Sequence, residues 1–348
     1  MFDFTAACTH FFKRLRVKSH RVRCASLALG AIVGIASFAG SRTAAAHEGA
    51  QESSPALSAA AEAAAQEAAP GIVEQLAATP SGCNKLPIHS GVFNLQTTDG
   101  RHVTRTFLVH IPPNYNHTHP YPLIFVFHGA GANSSQSYSW GVQNVNAANS
   151  ATASGNNGIF VFPDGVNFQS YGVGWDDSKS GYDMPFFDNM LTMMKSDFCL
   201  NTKRVFVAGF SWGGDFVSAL SCARAGVIRA TVANSTNDEF GNVNSYTTYH
   251  NLPCPASTTH PAIRFEHAVN GDGSYPAPRF ATTSALFRHF NSCSTAATTA
   301  PSSSSVMSCK SYNACADEYI ECSFNASIGH ALPPNWAADT WGFFSTFK

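Results

Sequence analysis

The chain has 348 residues and only 43 charged side chains, 21 Lys and Arg against 22 Asp and Glu, about half the charged share of an average soluble protein. With 44% hydrophobic residues and 42 aromatic side chains, that composition excludes a polyelectrolyte-like disordered chain and describes a turn-rich globule able to bury a substantial core. A formal net charge of -1 gives no electrostatic case for nucleic acid.

Seven basic groups (Lys13, Arg14, Arg16, Lys18, Arg21, Arg23 and Arg42) fall within residues 1–46 against one acid, Asp3, which leaves 14 basic and 21 acidic groups beyond position 46. The basic segment leads into an apolar, Ala-, Gly- and Ser-rich stretch, Cys24 to Gly40, and then into Ala44-Ala45-Ala46, small residues that suit a signal peptidase. Residues 1–46 are therefore read as a cleaved export signal. The stretch is shorter and weaker than the ~20 apolar residues of an anchoring helix, so no membrane association is expected after cleavage. Residues 47–80 are rich in Ala, Glu and Gln with few large apolar side chains, the composition of a disordered linker. The folded domain is placed at 81–348.

Cys8 and Cys24 depart with the signal, leaving Cys83, Cys199, Cys222, Cys254, Cys293, Cys309, Cys315 and Cys322. An even number in an exported chain predicts up to four disulfides, with the pairing open. Neither the Cys nor the His spacing suits zinc. No metal and no cofactor are expected.

Short, nearly continuous apolar runs predict strands at Arg105 to Ile111, Leu123 to Phe127, Ile159 to Phe162, Val205 to Ala208, Ile228 to Ala233, Ile263 to Val269 and Ile320 to Phe324. Such runs mark strands buried on both faces of a parallel sheet. Helical patterns follow at Phe186 to Phe198, Asp215 to Ala225, Arg279 to Phe290 and Trp336 to Phe347. Strand and helix in repetition predict an α/β fold, a three-layer sandwich with a mostly parallel central sheet.

The segment Val205-Phe-Val-Ala-Gly-Phe-Ser-Trp-Gly-Gly214 carries a buried strand into G-F-S-W-G and then directly into a helical pattern. That is the setting of a nucleophile elbow, where the turn is so tight that glycines must flank the serine. Ser211 is the predicted nucleophile, at a helix N-terminus that favours developing negative charge. Leu123-Ile-Phe-Val-Phe-His-Gly-Ala-Gly131 is a second buried strand, ending in His-Gly. Its loop is expected to give one oxyanion donor, the amide of Ala130 with those of Gly129 and Gly131 as alternatives, and Trp212 the other. His128 is read as pinning that loop. In the α/β-hydrolase order, acid and histidine follow the serine. Of His250, His260, His267, His289 and His330, the last lies in a loop just beyond a late strand and is the predicted base. For the acid, Asp272 follows the strand Ile263 to Val269, and Asp238, beside Glu239, is the competitor. Asp176 and Asp177 precede the serine and fit that order badly.

Together, Val126-Phe-His-Gly129, Pro163-Asp-Gly165 with Gly174-Trp175, Lys203 to Gly214, Gly329-His330 with Pro333, and Trp341-Gly-Phe-Phe344 resemble the secreted esterase family that unites polyhydroxybutyrate depolymerases with feruloyl and acetylxylan esterases, the family 1 carbohydrate esterases. The resemblance spans roughly residues 83–348. Where that family usually shows H-G-x-x-D-x-x-V-P, this chain has His267-Ala-Val-Asn-Gly-Asp272, with one extra residue, and Trp212 is larger than the residue often found after the serine.

The resemblance implies a secreted, monomeric serine esterase that hydrolyses a carboxylic ester through an acyl-enzyme. Feruloyl or acetyl esters of plant cell-wall polysaccharides are the expected substrates, and polyhydroxybutyrate the alternative; a chain ending at its last predicted helix leaves no room for an appended polymer-binding module. A different class of reading is a secreted binding protein on an idle hydrolase fold. Trp140 and Trp175 are candidate substrate contacts. Asn116, Asn133, Asn234 and Asn325 occupy N-x-S/T sequons.

Overall fold

A computed structural model of the chain describes residues 82–87, 89–145, 157–168, 172–176, 178, 181–236, 260–270, 272–274 and 277–348. All of these belong to one compact unit, Ser53–Lys348. The export signal and linker read for 1–46 and 47–80 lie outside the described residues, as do Asp238, Glu239, His250 and Cys254.

The strands are β1 (Val92–Thr98), β2 (Thr104–His110), β3 (Tyr121–Phe127), β4 (Ile159–Pro163), β5 (Val166–Asn167), β6 (Val173–Gly174), β7 (Leu200–Phe210), β8 (Ala230–Asn234), β9 (Ala262–Ala268), β10 (Ala297–Ala300), β11 (Met307–Tyr312) and β12 (Tyr319–Phe324). The helices are α1 (Ser134–Ser139), α2 (Asp183–Asp197), α3 (Trp212–Ala223), α4 (Ala277–Phe290) and α5 (Trp336–Ser345). Ten strands form one sheet in the order β1-β2-β4-β3-β7-β8-β9-β12-β11-β10, and β5 and β6 make a separate small hairpin. The run from β4 to β12 is parallel, with antiparallel pairs closing both edges.

Alternation of side chains along each strand builds two apolar layers from one continuous run. Leu123, Phe125 and Phe127 of β3 face one side, where Phe187, Met190 and Leu191 of α2, Phe216 and Leu220 of α3 and Phe287 of α4 cover them. Ile124 and Val126 face the other, with Phe160, Phe206 and the Trp336, Trp341 and Phe344 side chains of α5. Helices on both faces of a mostly parallel sheet give the expected three-layer sandwich, with the carboxyl ends of β3, β7, β8 and β9 at a common edge where loop chemistry collects.

Three disulfides join described residues: Cys83–Cys199, Cys293–Cys315 and Cys309–Cys322. Cys222 is also disulfide-bonded. Among the described residues no helix is long and apolar enough to cross a membrane.

Candidate active site

Strand β7 runs into α3 through a single residue, Ser211, whose backbone sits at φ 56° and ψ -127°. This is a conformation that non-glycine residues avoid and that persists only where the surroundings enforce it. The enforcement comes from close packing across the turn. A Cβ at Gly209 would lie 2.1 Å from the Gly213 carbonyl oxygen, and one at Gly213 would lie 2.3 Å from the carbonyl oxygen of Phe127. On the other side the Ser211 amide donates to the Asn234 carbonyl at the end of β8 (3.0 Å).

The three residues predicted from sequence come together here. The imidazole of His330 has Nε2 2.8 Å from Ser211 Oγ and Nδ1 3.0 Å from Asp272 Oδ2. An ionised carboxylate only accepts, so Nδ1 carries the proton and donates to Asp272, which leaves Nε2 to accept from the Ser211 hydroxyl. Asp272 is buried, and its Oδ1 accepts from the Ser274 amide at 3.0 Å, which fixes the carboxylate on its loop after β9. His330 stands on the loop after β12, behind a 3-10 turn (Ala326–Ile328) and Gly329 in the left-handed region. The histidines weighed against it that lie among the described residues are elsewhere occupied. His260 stacks on Phe290, His267 lies between Phe280 and Glu321, and the His289 ring lies against Phe290 on α4.

In the loop after β3, the Gly131 amide donates to Val173 O (2.8 Å) and that of Ala132 to Gly129 O (3.3 Å). The Ala130 amide has no acceptor among the described residues and remains able to donate to a ligand, whereas Gly131 does not. Trp212, the first residue of α3, carries one of the N-terminal amides that a helix leaves unpaired.

His128 is fully buried, with Nδ1 2.8 Å from the Gly129 carbonyl and Nε2 accepting from the Gly165 amide at 2.9 Å. The carbonyl accepts only and the amide donates only, so this ring is the neutral Nδ1–H tautomer. Burial pushes its pKa down, consistent with a side chain that locks two loops and exchanges no proton.

Behind those loops lies a charged network that composition did not reveal. Arg105 of β2 donates to Asp183 Oδ1 and to the Asp164 carbonyl, both at 2.6 Å, while Asp183 Oδ2 accepts from the Asp176 amide at 2.6 Å. Burial pushes the Asp183 carboxyl up to about 6, against the Arg105 guanidinium and the Asp176 amide that pull it down. Asp164 Oδ1 in turn caps α1 through the Ser134 amide at 2.7 Å.

One sequence expectation needs correction. Trp175 is 1% exposed, packs on Phe127 and Phe216, and donates its indole N–H to the His128 carbonyl. It is core, out of reach of a substrate, because its whole apolar face is covered by β3 and α3. The Asn234 side chain is fully buried and donates to Glu266 Oε2 at 2.8 Å, so its sequon is closed to glycan addition in the folded protein. Trp140 is half-buried, edge-on to Phe210 at 6.0 Å and to Trp336 at 5.6 Å. Trp212 lies over Gly174 and against Phe168, whose ring stacks on Tyr182. The Phe210 ring lies 4.9 Å from that of His330. Phe210 is not legible in the sequence as a site residue, because the middle position of G-F-S carries no signature of its own.

A serine on a strand-to-helix elbow, with acid and histidine on loops beyond later strands of a parallel sheet, defines an α/β-hydrolase fold with a Ser-His-Asp arrangement. No family model matches the chain. Its sequence is similar to feruloyl esterase D of Neurospora crassa, 33% identical over 172 residues that cover 46% of this chain and 54% of that protein. It is also similar to feruloyl esterase C of Emericella nidulans, 40% identical over 72 residues, 21% of this chain and 24% of that one. The chain thus spans about half the length, or less, of these curated relatives. Among solved structures, the acetyl xylan esterase from Aspergillus awamori shares the fold, with a TM-score of 0.56, 14% identity, and coverage of 72% of this chain and 99% of that one.

Proposed function

We propose that this chain is an exported serine esterase that hydrolyses feruloyl or acetyl esters of plant cell-wall polysaccharides through an acyl-enzyme. The observation that carries the reading is the continuous Ser211–His330–Asp272 hydrogen-bond chain, with links of 2.8 and 3.0 Å, at a strained elbow. The similarity to feruloyl esterases supports an ester as the bond cleaved, and the disulfides suit an oxidising compartment.

In this mechanism Ser211 Oγ attacks the ester carbonyl as its proton passes to His330 Nε2. The Ala130 and Trp212 amides hold the oxygen on which charge develops. His330 then gives the proton to the departing alkoxide as the C–O bond breaks, and a water repeats the sequence to release the acid. Asp272 holds the imidazole in the Nδ1–H tautomer and stabilises its positive charge. Trp212, packed on Gly174 and Phe168, walls the side of the elbow that α3 begins.

A fluorophosphonate probe should label the wild-type protein and leave Ser211→Ala unlabelled. Methyl ferulate, acetylated xylan and a polyhydroxybutyrate emulsion then separate the substrates. Labelling with turnover of either of the first two supports the reading. Absence of labelling would point to an idle fold, and turnover of the polyester alone would overturn the substrate class.

A further inference from the structure

We propose that Phe210, the residue immediately before the nucleophile, is a positioning residue that holds His330 by its ring face and favours the protonated imidazole formed during turnover. The proposal rests on reading Ser211, His330 and Asp272 as the catalytic set.

The two hydrogen bonds to His330 act at the ring edge, through Nδ1 and Nε2. They act in the plane of the ring, so a contact on its face is a separate restraint. His330 sits on the loop after β12, just past Gly329 in the left-handed region. The Phe210 ring lies against its face, at a centroid distance of 4.9 Å and an interplanar angle of 35°.

Phe210 is itself held. Its strand position is fixed by pairing with Asn234, and Trp140 stands edge-on to its ring at 6.0 Å and 86°. Trp140 in turn meets Trp336 at the N-terminus of α5 at 5.6 Å and 84°. On the other side a Cβ at Gly129 would come within 3.2 Å of Phe210 Cδ1, so the oxyanion loop packs directly on the same ring. A row of rings therefore runs from Trp336 of α5 through Trp140, just past α1, and Phe210 to the imidazole of His330, and Phe210 also touches the loop bearing Ala130.

The chemistry asks for more from this face in the transition state than in the ground state. As the Ser211 Oγ–carbonyl bond forms, the hydroxyl proton moves to Nε2 and the imidazole becomes a cation. That proton later leaves for the alkoxide as the ester C–O bond breaks, so the charge exists only in passing. An aromatic face attracts a cation through its quadrupole and a neutral ring much less. Stabilisation confined to the charged form lowers the barrier without tightening substrate binding. Asp272 supplies the opposing charge in the ring plane, and Phe210 acts on the face. The His330 side chain is 23% exposed, so water competes and the effect is moderate.

The test compares wild type with Phe210→Leu, Phe210→Met and Phe210→Tyr as full chains, on methyl ferulate across pH, with thermal unfolding as a check on folding. Removing the ring should lower kcat by about 3- to 30-fold with KM within about twofold. The acid limb of the kcat profile should move to lower pH, because the imidazolium has lost its support, and Phe210→Tyr should restore both. The Met variant serves if the Leu variant does not fold. Ring-less variants with wild-type kcat, a loss that falls on KM, an unmoved acid limb, or a Tyr variant as impaired as Leu would each overturn the proposal. Wild-type protein that neither takes the fluorophosphonate nor turns over any ester would remove the underlying reading, and this inference would fall with it.

Discussion

A carboxylate and a carboxamide at position 272 present opposite characters to His330 Nδ1. The carboxylate accepts and keeps the proton there; an amide N–H aimed at the same nitrogen drives the proton to Nε2, where it blocks transfer from Ser211. Asp272→Asn is therefore expected to lower kcat by about 10³- to 10⁴-fold with the fold intact. Steady-state rates beside a circular dichroism spectrum check it, and a loss of less than tenfold would return the role to another carboxylate such as Asp238. The elbow makes a second demand on single atoms. A methyl at Gly213 meets the Phe127 carbonyl oxygen at 2.3 Å, backbone against backbone, with no flexible side chain to yield. Gly213→Ala should cost about 1–3 kcal/mol or more, read from urea denaturation, and a midpoint equal to wild type would show that the turn can relax. These positions were legible because the chemistry prescribes them: a serine between glycines, and an acid and a histidine later in the chain. Trp175 was misread for the opposite reason. A tryptophan in a loop next to glycine looks the same in sequence whether it faces a cleft or the core, and only the packing of Phe127 and Phe216 decides.

Strands and helices with large apolar content were equally readable. The runs of the parallel strands and the four longer helices lie within a few residues of their structural positions, β7 differing most because its polar start, Leu200–Arg204, lacks the apolar signal. Missing from the sequence reading are the short β5, β6 and α1, and also β1, β10 and β11, which lie at or next to the sheet edges and whose outward faces are exposed. A strand that buries half its residues or fewer leaves little continuous apolar run to detect. The β11–β12 edge is instead fixed to α4 by polar contacts around Glu321, which accepts from Ser284 Oγ and from Tyr312 Oη (3.2 Å) and approaches His267 Nε2 (3.5 Å). Burial alone would raise its pKa; the hydrogen bonds from His267, Ser284 and Tyr312 outweigh it and bring the carboxyl down to about 2. A depressed carboxyl contributes stability that is present above its unfolded value near 4.5 and lost as pH falls through about 2. With the side chain 21% exposed, that contribution is on the order of 2 kcal/mol. Glu321→Gln should be less stable than wild type at pH 7, and the difference should close between pH 4.5 and 2. Urea midpoints across that range measure it; a gap that stays constant with pH would show that packing, and not charge, carries the effect.

At the scale of the molecule, cysteine number announced an oxidised protein and left the pairing open, because pairing is set by topology. Cys83–Cys199 joins residues 116 apart, whereas Cys293–Cys315 and Cys309–Cys322 span 22 and 13. Closing a long loop removes more entropy from the unfolded chain, about 5 kcal/mol for the first against about 3 for each of the others. The long loop holds β1 to β6, α1 and α2, and thus one edge of the sheet together with the loop after β3. Its clasp lies at the far end of β7 from Ser211. Cys199 precedes that strand and Ser211 follows it; Leu200 pairs with Tyr121 and Gly209 with Phe127, so the length of β3, roughly 20 Å, separates the two ends. Around the clasp, the Gly82 amide donates to Lys195 O (3.0 Å), and Lys85 Nζ to Ser196 O (3.1 Å), so native contacts hold the segment even without the covalent bond. Paired serine substitution of Cys83 and Cys199 is therefore expected to lower unfolding free energy by about 3–5 kcal/mol while kcat and KM at 25 °C stay near wild type. Paired substitution of Cys293 and Cys315 should cost less. Guanidinium unfolding with parallel ester kinetics separates the two effects: a loss of activity at full folding would mean that the clasp shapes the site through β7, and an unchanged midpoint would mean that the unfolded chain is already compact enough to make the loop cheap to close.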